Sequence, residues 1–153
     1  MEESVGMTSM KLGMPINYAG DFRETINNLA DFEAAGVQRI AVPEAYSFDA
    51  VSQLGYIAAK TERLRLSTST TLITTNDPVK IAEDYAFLQH LSGGRIDLMM
   101  GRGNTGPVYP WFGKDIRQGI PLAIENYHLL RRLWREQNVT WKGQFRTPLQ
   151  GFT

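Results

Sequence analysis

The segment SGGRIDLMMGRGNTGPVYPWFG, residues 92–113, decides how the rest of the chain is read. Residues 96–100 form a nearly all-apolar run that is long enough for one buried strand and too short for a helix. The loop that follows, residues 101–106, combines three glycines with Arg102. Glycine lets the backbone approach an anion, and a guanidinium supplies a fixed cation with several donors. A buried strand ending in such a loop is typical of phosphate binding at the carboxyl edge of a parallel sheet, although a tight turn with a surface arginine fits the same letters.

Strand and helix patterns alternate along the chain. Strands are predicted over residues 12–16, 37–42, 64–75 and 96–100, each followed by a helical pattern. Asp21 with Glu24, Ser47 or Asp49, and Asp77 with Pro78 mark helix starts. This order predicts a parallel α/β fold with right-handed crossovers. Two architectures fit: a small doubly wound sheet of the flavodoxin type, and half of an eight-fold barrel. No glycine-rich turn follows the first strand, which counts against the doubly wound sheet.

The C-terminal third begins with a long loop. Residues 101–115 connect the fourth strand to the last helix, and loops of this length inside compact domains are usually functional. The apolar face of the last helix is predicted to contain Ala123, Tyr127, Leu130 and Trp134. A hairpin is then predicted over residues 139–145, turning at Lys142 and Gly143.

The composition excludes several classes of function. Sixteen basic residues balance sixteen acidic ones, so the chain lacks the basic surface that nucleic acid requires. Cysteine is absent, which removes disulfides and thiolate chemistry, and the two histidines lie in helical patterns that give no basis for a metal site. No run is apolar enough to span a membrane. Residues 1–9 lack the features of a secretory signal and are expected to be a disordered leader, so we expect a cytoplasmic protein.

Residues 11–153 resemble the bacterial-luciferase-like superfamily of flavin-dependent oxidoreductases. The matching segments are AGVQRIAVPEAY, AAKTERLRLSTSTTLITTNDPVKIAEDYAFLQHLSGGRIDLMMGRGN and the Leu-Trp-Arg run at 133–135. The order of TERLRL, a helix beginning at Asp-Pro, and SGGR is specific to that superfamily. The resemblance implies that residues 10–153 form the first four (β/α) units, the N-terminal half of a TIM-type barrel, incomplete at the C-terminus.

Two parts of the chain resemble different branches of this superfamily. Residues 11–63 look like enzymes that use the deazaflavin coenzyme F-420, and residues 67–153 look like an FMN-dependent monooxygenase group. The loops expected to face the cofactor lie in the second part, so FMN is the expected cofactor and coenzyme F-420 the alternative. FMN implies insertion of one oxygen atom into a small organic substrate, whereas the deazaflavin implies hydride transfer without oxygen. A flavin reductase and a second copy of the chain are the expected protein partners, with no nucleic acid or membrane.

The resemblance also indicates the catalytic candidates, Glu44 and Tyr46. They match a Glu-His-His motif whose assisting histidine is replaced by Ala45. Glu44 could serve as a base if it is partly desolvated, whereas tyrosine, which ordinarily ionises near about pH 10, is a poor base. Structural roles fit equally well, with Glu44 orienting a loop and Tyr46 packing on the flavin. The expected cofactor-binding residues are Ser69, Thr70, Arg102, Gly103 and Asn104.

The third strand and the long loop carry further expectations. In luciferase-like proteins a non-proline cis peptide commonly lies beneath the flavin ring, and the matching bond joins Ser69 to Thr70. The hydroxyls of residues 67–71 would either contact the polar edge of the cofactor or bond to neighbouring backbone. The loop aromatics Tyr109, Trp111 and Phe112 would cover the ring and exclude water.

Two non-enzymatic interpretations remain. The chain could be a half-barrel module without a closed site, which associates through its unpaired edge strands. It could also be a flavodoxin-like electron carrier, which would bind FMN as a monomer. The mass in solution and the absorbance of bound flavin would separate these interpretations from the enzyme.

Overall fold

A computed structural model of the chain describes residues 10–16, 21–45 and 48–152. The leader predicted over residues 1–9 and the catalytic candidate Tyr46 lie outside the described residues.

Four parallel strands form the main sheet, in the spatial order β1, β2, β3, β5. Their bounds are β1 Leu12–Pro15, β2 Val37–Val42, β3 Arg65–Thr68 and β5 Ile96–Asp97. Each strand of this sheet lies beside the sheet strand that precedes it along the chain, as in a (β/α) barrel; β4 (Thr71–Leu72) belongs to a second pair. A flavodoxin-type sheet instead places its first strand inside the order 2-1-3. The doubly wound alternative is therefore wrong, and the sheet is the N-terminal half of a TIM-type barrel.

The helices follow the predicted caps. Their bounds are α1 Phe22–Asn27, α2 Leu29–Ala34, α3 Ala50–Lys60, α4 Pro78–Leu91 and α5 Gly119–Leu133. The Asp49 carboxylate accepts a hydrogen bond from the Ser52 N–H, and Asp77 does so from Val79, which satisfies backbone donors at each helix start. Between the helices and the sheet lies a core that includes Ile40, Leu54, Ile57, Leu66 and Leu130, all almost fully buried.

The helical pattern that begins at Asp21, between the first and second predicted strands, is two short helices. Asn28 ends α1 and precedes α2, and its side chain makes no capping bond. Asparagine is a weak helix former, so the Asn27–Asn28 pair is a favourable place for the break. The apolar residues on either side, Ile26 and Leu29, are nevertheless both buried, as expected for one continuous face.

The third and fourth predicted strands are each divided in two. A second parallel pair, β4 Thr71–Leu72 and β6 Met100–Gly101, continues beyond β3 and β5. At the division, the Thr68 hydroxyl donates to the Met99 carbonyl oxygen at 2.7 Å and accepts from the Met99 N–H at 3.0 Å. The threonine side chain thus replaces the backbone ladder at this point, and pairing resumes on the far side of it.

Two predictions near the C-terminus are corrected. The hairpin joins β7 Val139–Trp141 to β8 Leu149–Phe152, instead of turning at Lys142 and Gly143. The N–H groups of Gln144 and Phe145 donate to the Glu125 carboxylate on α5, which holds the segment after Gly143 against that helix. Of the face predicted for α5, Leu130 is buried and Ala123 packs against the core, whereas Tyr127 and Trp134 are exposed. The other buried residues of this helix are Gly119, Leu122, Asn126 and Leu129.

The face of the sheet that the helices do not cover is charged at the amino end of its strands. Arg39 and Arg65 occupy paired positions on β2 and β3, opposite in direction to the buried Ile40 and Leu66. Both bind the Asp97 carboxylate, at 2.8 Å and 2.5 Å, and the pKa of Asp97 is lowered chiefly by the hydrogen bond from Arg65. This cluster of Arg39, Arg65 and Asp97 is called the inner charge cluster below.

Within the described part of the chain, every helix is too short or too polar to cross a bilayer.

Candidate functional site

A cavity of about 290 Å³ opens at the carboxyl ends of the strands. It brings together six of the seven predicted site residues, all but Tyr46. Those six are Glu44, Ser69, Thr70, Arg102, Gly103 and Asn104. They come from the ends of β2, β3 and β6, three separate segments that meet only because parallel strands end at the same edge.

A larger cavity, of about 560 Å³, lies at the opposite end of the strands and is lined by Lys11, Arg39, Arg63 and Arg65 among others. Barrel enzymes build their sites at the carboxyl ends of the strands, and the amino ends serve stability. The smaller cavity is therefore the candidate site despite its size.

The peptide bond between Ser69 and Thr70 is cis, as the luciferase-like resemblance predicted. It lies between β3 and β4 at the wall of the cavity. Gly101 on the neighbouring strand packs directly against Thr70: a Cβ at position 101 would collide with the Thr70 hydroxyl and lie 3.2 Å from its Cβ. Only glycine allows this approach of β6 to the cavity wall.

The hydroxyls of residues 67–71 divide between the two predicted roles. Ser67 donates to the Thr68 carbonyl oxygen, Thr68 binds Met99, and Thr71 shares a 2.6 Å hydrogen bond with the Tyr85 hydroxyl. The hydroxyls of those three side chains therefore form hydrogen bonds within the chain. The side chains of Ser69 and Thr70 make no such bond within the described residues, and both line the cavity.

Glu44 connects the end of β2 to the turn after β4. One carboxylate oxygen accepts from the Leu72 N–H and the other from the Asn76 side chain, both at 2.8 Å. Burial raises the pKa of Glu44 above its ordinary 4.5, and these two hydrogen bonds oppose the increase. The carboxylate thus faces the cavity while it orients a loop, which combines features of both predicted roles.

Two side chains bond to the backbone of the loop after β6, and the sequence analysis assigned neither of them this role. The Arg102 carbonyl oxygen accepts hydrogen bonds from Thr74 Oγ1 at 2.6 Å and from the Tyr109 hydroxyl at 2.5 Å. Tyr109 was expected to cover a flavin ring, but its side chain is almost fully buried and anchors the loop. Trp111 and Phe112, on the same 3₁₀ segment Gly106–Phe112, are exposed.

Asn76 and Thr74 were missed because the sequence places them at the end of a predicted strand and beside a helix cap. The polar run Thr74-Thr75-Asn76 after the apolar Leu72 and Ile73 was the available signal, since hydroxyls and amides at a strand's carboxyl end commonly serve a site.

Comparison with known proteins places the chain in a family. The family model for luciferase-like monooxygenases matches residues 3–153. The chain belongs to the luciferase-like monooxygenase family. A Mycobacterium tuberculosis protein provisionally named a coenzyme F-420-dependent oxidoreductase is 33% identical over 150 residues, which cover 93% of this luciferase-like chain and 42% of the relative.

Solved structures give the same luciferase-like fold. The monooxygenase RslO1 from Streptomyces bottropensis superposes with a TM-score of 0.82 and 26% identity, over 94% of this chain and 48% of the other. The oxygenating constituent of 3,6-diketocamphane monooxygenase from Pseudomonas putida, in complex with FMN, superposes with a TM-score of 0.81 and 16% identity, over 94% and 44%. The luciferase-like chain therefore spans less than half the length of each of these three proteins.

Proposed function

We propose that this chain is the cofactor-binding part of an FMN-dependent monooxygenase that acts on a small organic substrate. The observation that carries the proposal is the cavity at the carboxyl ends of the strands, which gathers the five expected cofactor residues from two segments and Glu44 from a third. The residues present suit an anionic cofactor, because Arg102 forms no ion pair with a described carboxylate and stands beside a glycine-rich loop.

In this proposal each group on the wall of the cavity has one task. Arg102, with the backbone of Gly103 and Asn104, would hold the phosphate. Ser69 and Thr70, whose hydroxyls are not used inside the described structure, would contact the polar edge of the ring. Reduced FMN, when bound, would supply the electrons that activate dioxygen for insertion of one oxygen atom into the substrate.

Coenzyme F-420 is the alternative cofactor, and hydride transfer without oxygen would then be the reaction. The name of the M. tuberculosis relative favours it, whereas the FMN bound to the P. putida monooxygenase favours FMN. A small-molecule substrate, a flavin reductase and a second copy of the chain stay the proposed partners.

Glu44 stays the acid–base candidate together with Tyr46. The raised pKa of Glu44 brings it closer to the range in which a carboxylate accepts protons effectively. Acting as a base would require one carboxylate oxygen to release its donor, and the side chain of Asn76 can turn away more easily than the Leu72 backbone.

The test is a comparison of FMN and riboflavin binding to the parent and to Arg102→Ala. A hydrogen bond to a charged group contributes roughly 1.5–3 kcal/mol, so the variant should bind FMN roughly 10- to 150-fold more weakly. Riboflavin lacks the phosphate and should bind parent and variant about equally. Calorimetric or fluorescence titration of both flavins measures this.

The matched control is Arg135→Ala, which removes an exposed arginine from the end of α5, outside the lining of the cavity. It should leave both affinities unchanged. An equal loss of FMN and riboflavin in Arg102→Ala would mean that Arg102 supports the fold and not the phosphate. A parallel titration with coenzyme F-420 decides between the two cofactors.

A further inference from the structure

Two consecutive carbonyl groups of the loop after β6 are held from the same side. The Arg102 carbonyl oxygen accepts from Thr74 Oγ1 and from the Tyr109 hydroxyl, and the Gly103 carbonyl oxygen lies 3.3 Å from the same hydroxyl. Thr74 and Tyr109 are 0% and 2% exposed, so both hydroxyls act from inside the protein. The loop backbone therefore cannot turn these carbonyls outward without breaking buried hydrogen bonds.

The orientation of the carbonyls fixes the orientation of the following N–H groups. In a planar trans peptide the N–H points opposite to the C=O. The N–H groups of Gly103 and Asn104 therefore point away from Thr74 and Tyr109, and both residues line the cavity. Neither N–H has an acceptor within the described residues.

Glycine at position 103 makes this arrangement possible. Its φ of +71° lies in the left-handed region, and a Cβ there would come within 3.2 Å of Leu72 Cδ2. Successive N–H groups in a turn that includes a left-handed residue can form an anion-binding concavity. The Arg102 guanidinium donates to the Gly103 carbonyl oxygen at 3.2 Å and so brings a positive charge to the same loop.

We propose that Thr74 and Tyr109 are positioning residues that hold the N–H groups of Gly103 and Asn104 in place as a preformed phosphate site. The proposal deepens the proposed function, because there the phosphate belongs to the flavin. The anion site itself does not depend on flavin binding, so inorganic phosphate can probe it separately.

The competing anion site is the basic cavity at the amino ends of the strands. Its Arg39 and Arg65 already bind Asp97, and Arg63 lies 3.9 Å from the Glu33 carboxylate. Lys11 adds a fourth cation there. This cavity is the place where phosphate would bind if the proposal is wrong.

The first experiment titrates inorganic phosphate into the ¹⁵N-labelled chain and follows the amide resonances. The amides of Gly103 and Asn104 should shift together in a saturable way, with sulfate as a second oxyanion that gives the same pattern. Shifts confined to residues near Lys11, Arg39 and Arg63, or no saturable shift at Gly103 and Asn104, would overturn the proposal whether or not the chain binds a flavin.

The second experiment removes the hydroxyls one at a time with Tyr109→Phe and Thr74→Val. Each variant should weaken phosphate binding at Gly103 and Asn104 by roughly 3- to 10-fold, since each loses one of the hydrogen bonds that orient the loop. The double variant should lose more than either single one. The matched control is Tyr85→Phe, which removes an equally buried hydroxyl, bonded to Thr71 and not to the loop.

Flavin titrations separate a positioning role from a general structural one. Tyr109→Phe and Thr74→Val should weaken FMN binding while riboflavin binding changes little, and Tyr85→Phe should not discriminate between the two flavins. Equal losses for FMN and riboflavin in the loop variants would overturn the positioning role. If the parent binds phosphate at Gly103 and Asn104 but binds no flavin, the proposed function fails and the phosphate site stands.

Discussion

Glu44 shows how one side chain can link the end of one strand to the turn after another. Its carboxylate accepts the Leu72 N–H and the Asn76 amide, so removing it would release the turn that follows the cis bond. Desolvation dominates its electrostatics and raises its pKa above 4.5. The folded state therefore binds the Glu44 proton more tightly than the unfolded chain does.

The pH dependence of stability follows from that direction. The stabilisation that comes from the protonation of Glu44 is fully present below the pKa of Glu44 in the unfolded chain. It is lost as the pH rises through the raised pKa of Glu44 in the folded state. The side chain introduced by Glu44→Gln cannot ionise. The free energy of unfolding of the parent minus that of the variant should therefore decrease between about pH 4 and about pH 7. Urea denaturation at both pH values measures this difference.

Glu62→Gln is the control for this measurement, because Glu62 is exposed. The change with pH should be larger for Glu44→Gln than for this control. A parent-to-Glu44→Gln difference that grows towards neutral pH would contradict the direction assigned to the Glu44 pKa.

Residue types predicted most of the candidate site, whereas the contacts between distant residues were not predictable. Glu44 was indicated by the luciferase-like resemblance, and Arg102 and Gly103 by the glycine-rich loop that follows the fourth predicted strand. The bond from Asn76 to Glu44 spans 32 positions, and that from Tyr109 to Arg102 requires the 3₁₀ segment to fold back. Neither contact has a local pattern that a single sequence reveals.

At the level of elements, two glycines differ in the space that is available for a Cβ atom. Gly55 lies inside α3, and a Cβ there would meet only Leu88 Cδ2, at an ordinary distance of 3.8 Å. Gly101 in β6 has no such room, because Thr70 occupies the space. The same substitution should therefore change stability in opposite directions at the two positions.

Gly55→Ala should raise the free energy of unfolding by about 0.5–1 kcal/mol, because alanine loses less backbone freedom in a helix. Gly101→Ala should lower it by about 1–3 kcal/mol, the usual range for overpacking. Chemical denaturation at one pH, with unchanged m-values, makes the comparison. Equal effects of the two substitutions would show that β6 can move away from Thr70 freely.

Element boundaries were the least predictable feature of the fold. The 64–75 pattern reads as one strand because β-branched residues continue through it, whereas β3 ends at Thr68, whose side chain bonds to Met99. The prediction of the buried face of α5 was partly wrong because a contact between distant residues buries a polar side chain. Asn126 is buried because its side chain donates to the Ile73 carbonyl oxygen, while the apolar Ile124 is 54% exposed.

For the whole molecule, the two outer strands of the main sheet decide how the chain associates in solution. Within the described residues, β1 and β5 are each paired on one side only. Unpaired strand edges favour association with other chains. We therefore expect the average mass of the chain in solution to rise with concentration.

Leu12→Lys tests this edge. A charge on an outer strand opposes pairing with another strand, so the variant should stay closer to the monomer mass at every concentration. Leu91→Lys on α4 is the matched control, because Leu12 and Leu91 are 56% and 60% exposed and the charge change is the same. Light scattering after gel filtration gives the masses. Equal effects of the two lysines would indicate association through apolar surface in general and not through the edge of β1.

The inner charge cluster limits which polypeptides can pack against the uncovered face of the main sheet. Each copy brings two guanidinium groups and one carboxylate to its uncovered face, so two copies closed face to face would enclose four positive and two negative groups. Confining that excess away from water is costly. Any polypeptide half that packs over this face must therefore contribute acidic side chains at the same depth. We therefore expect the recombination of halves from different members of the family to depend on matching the sign of these charges, at the end of the strands opposite to the candidate site.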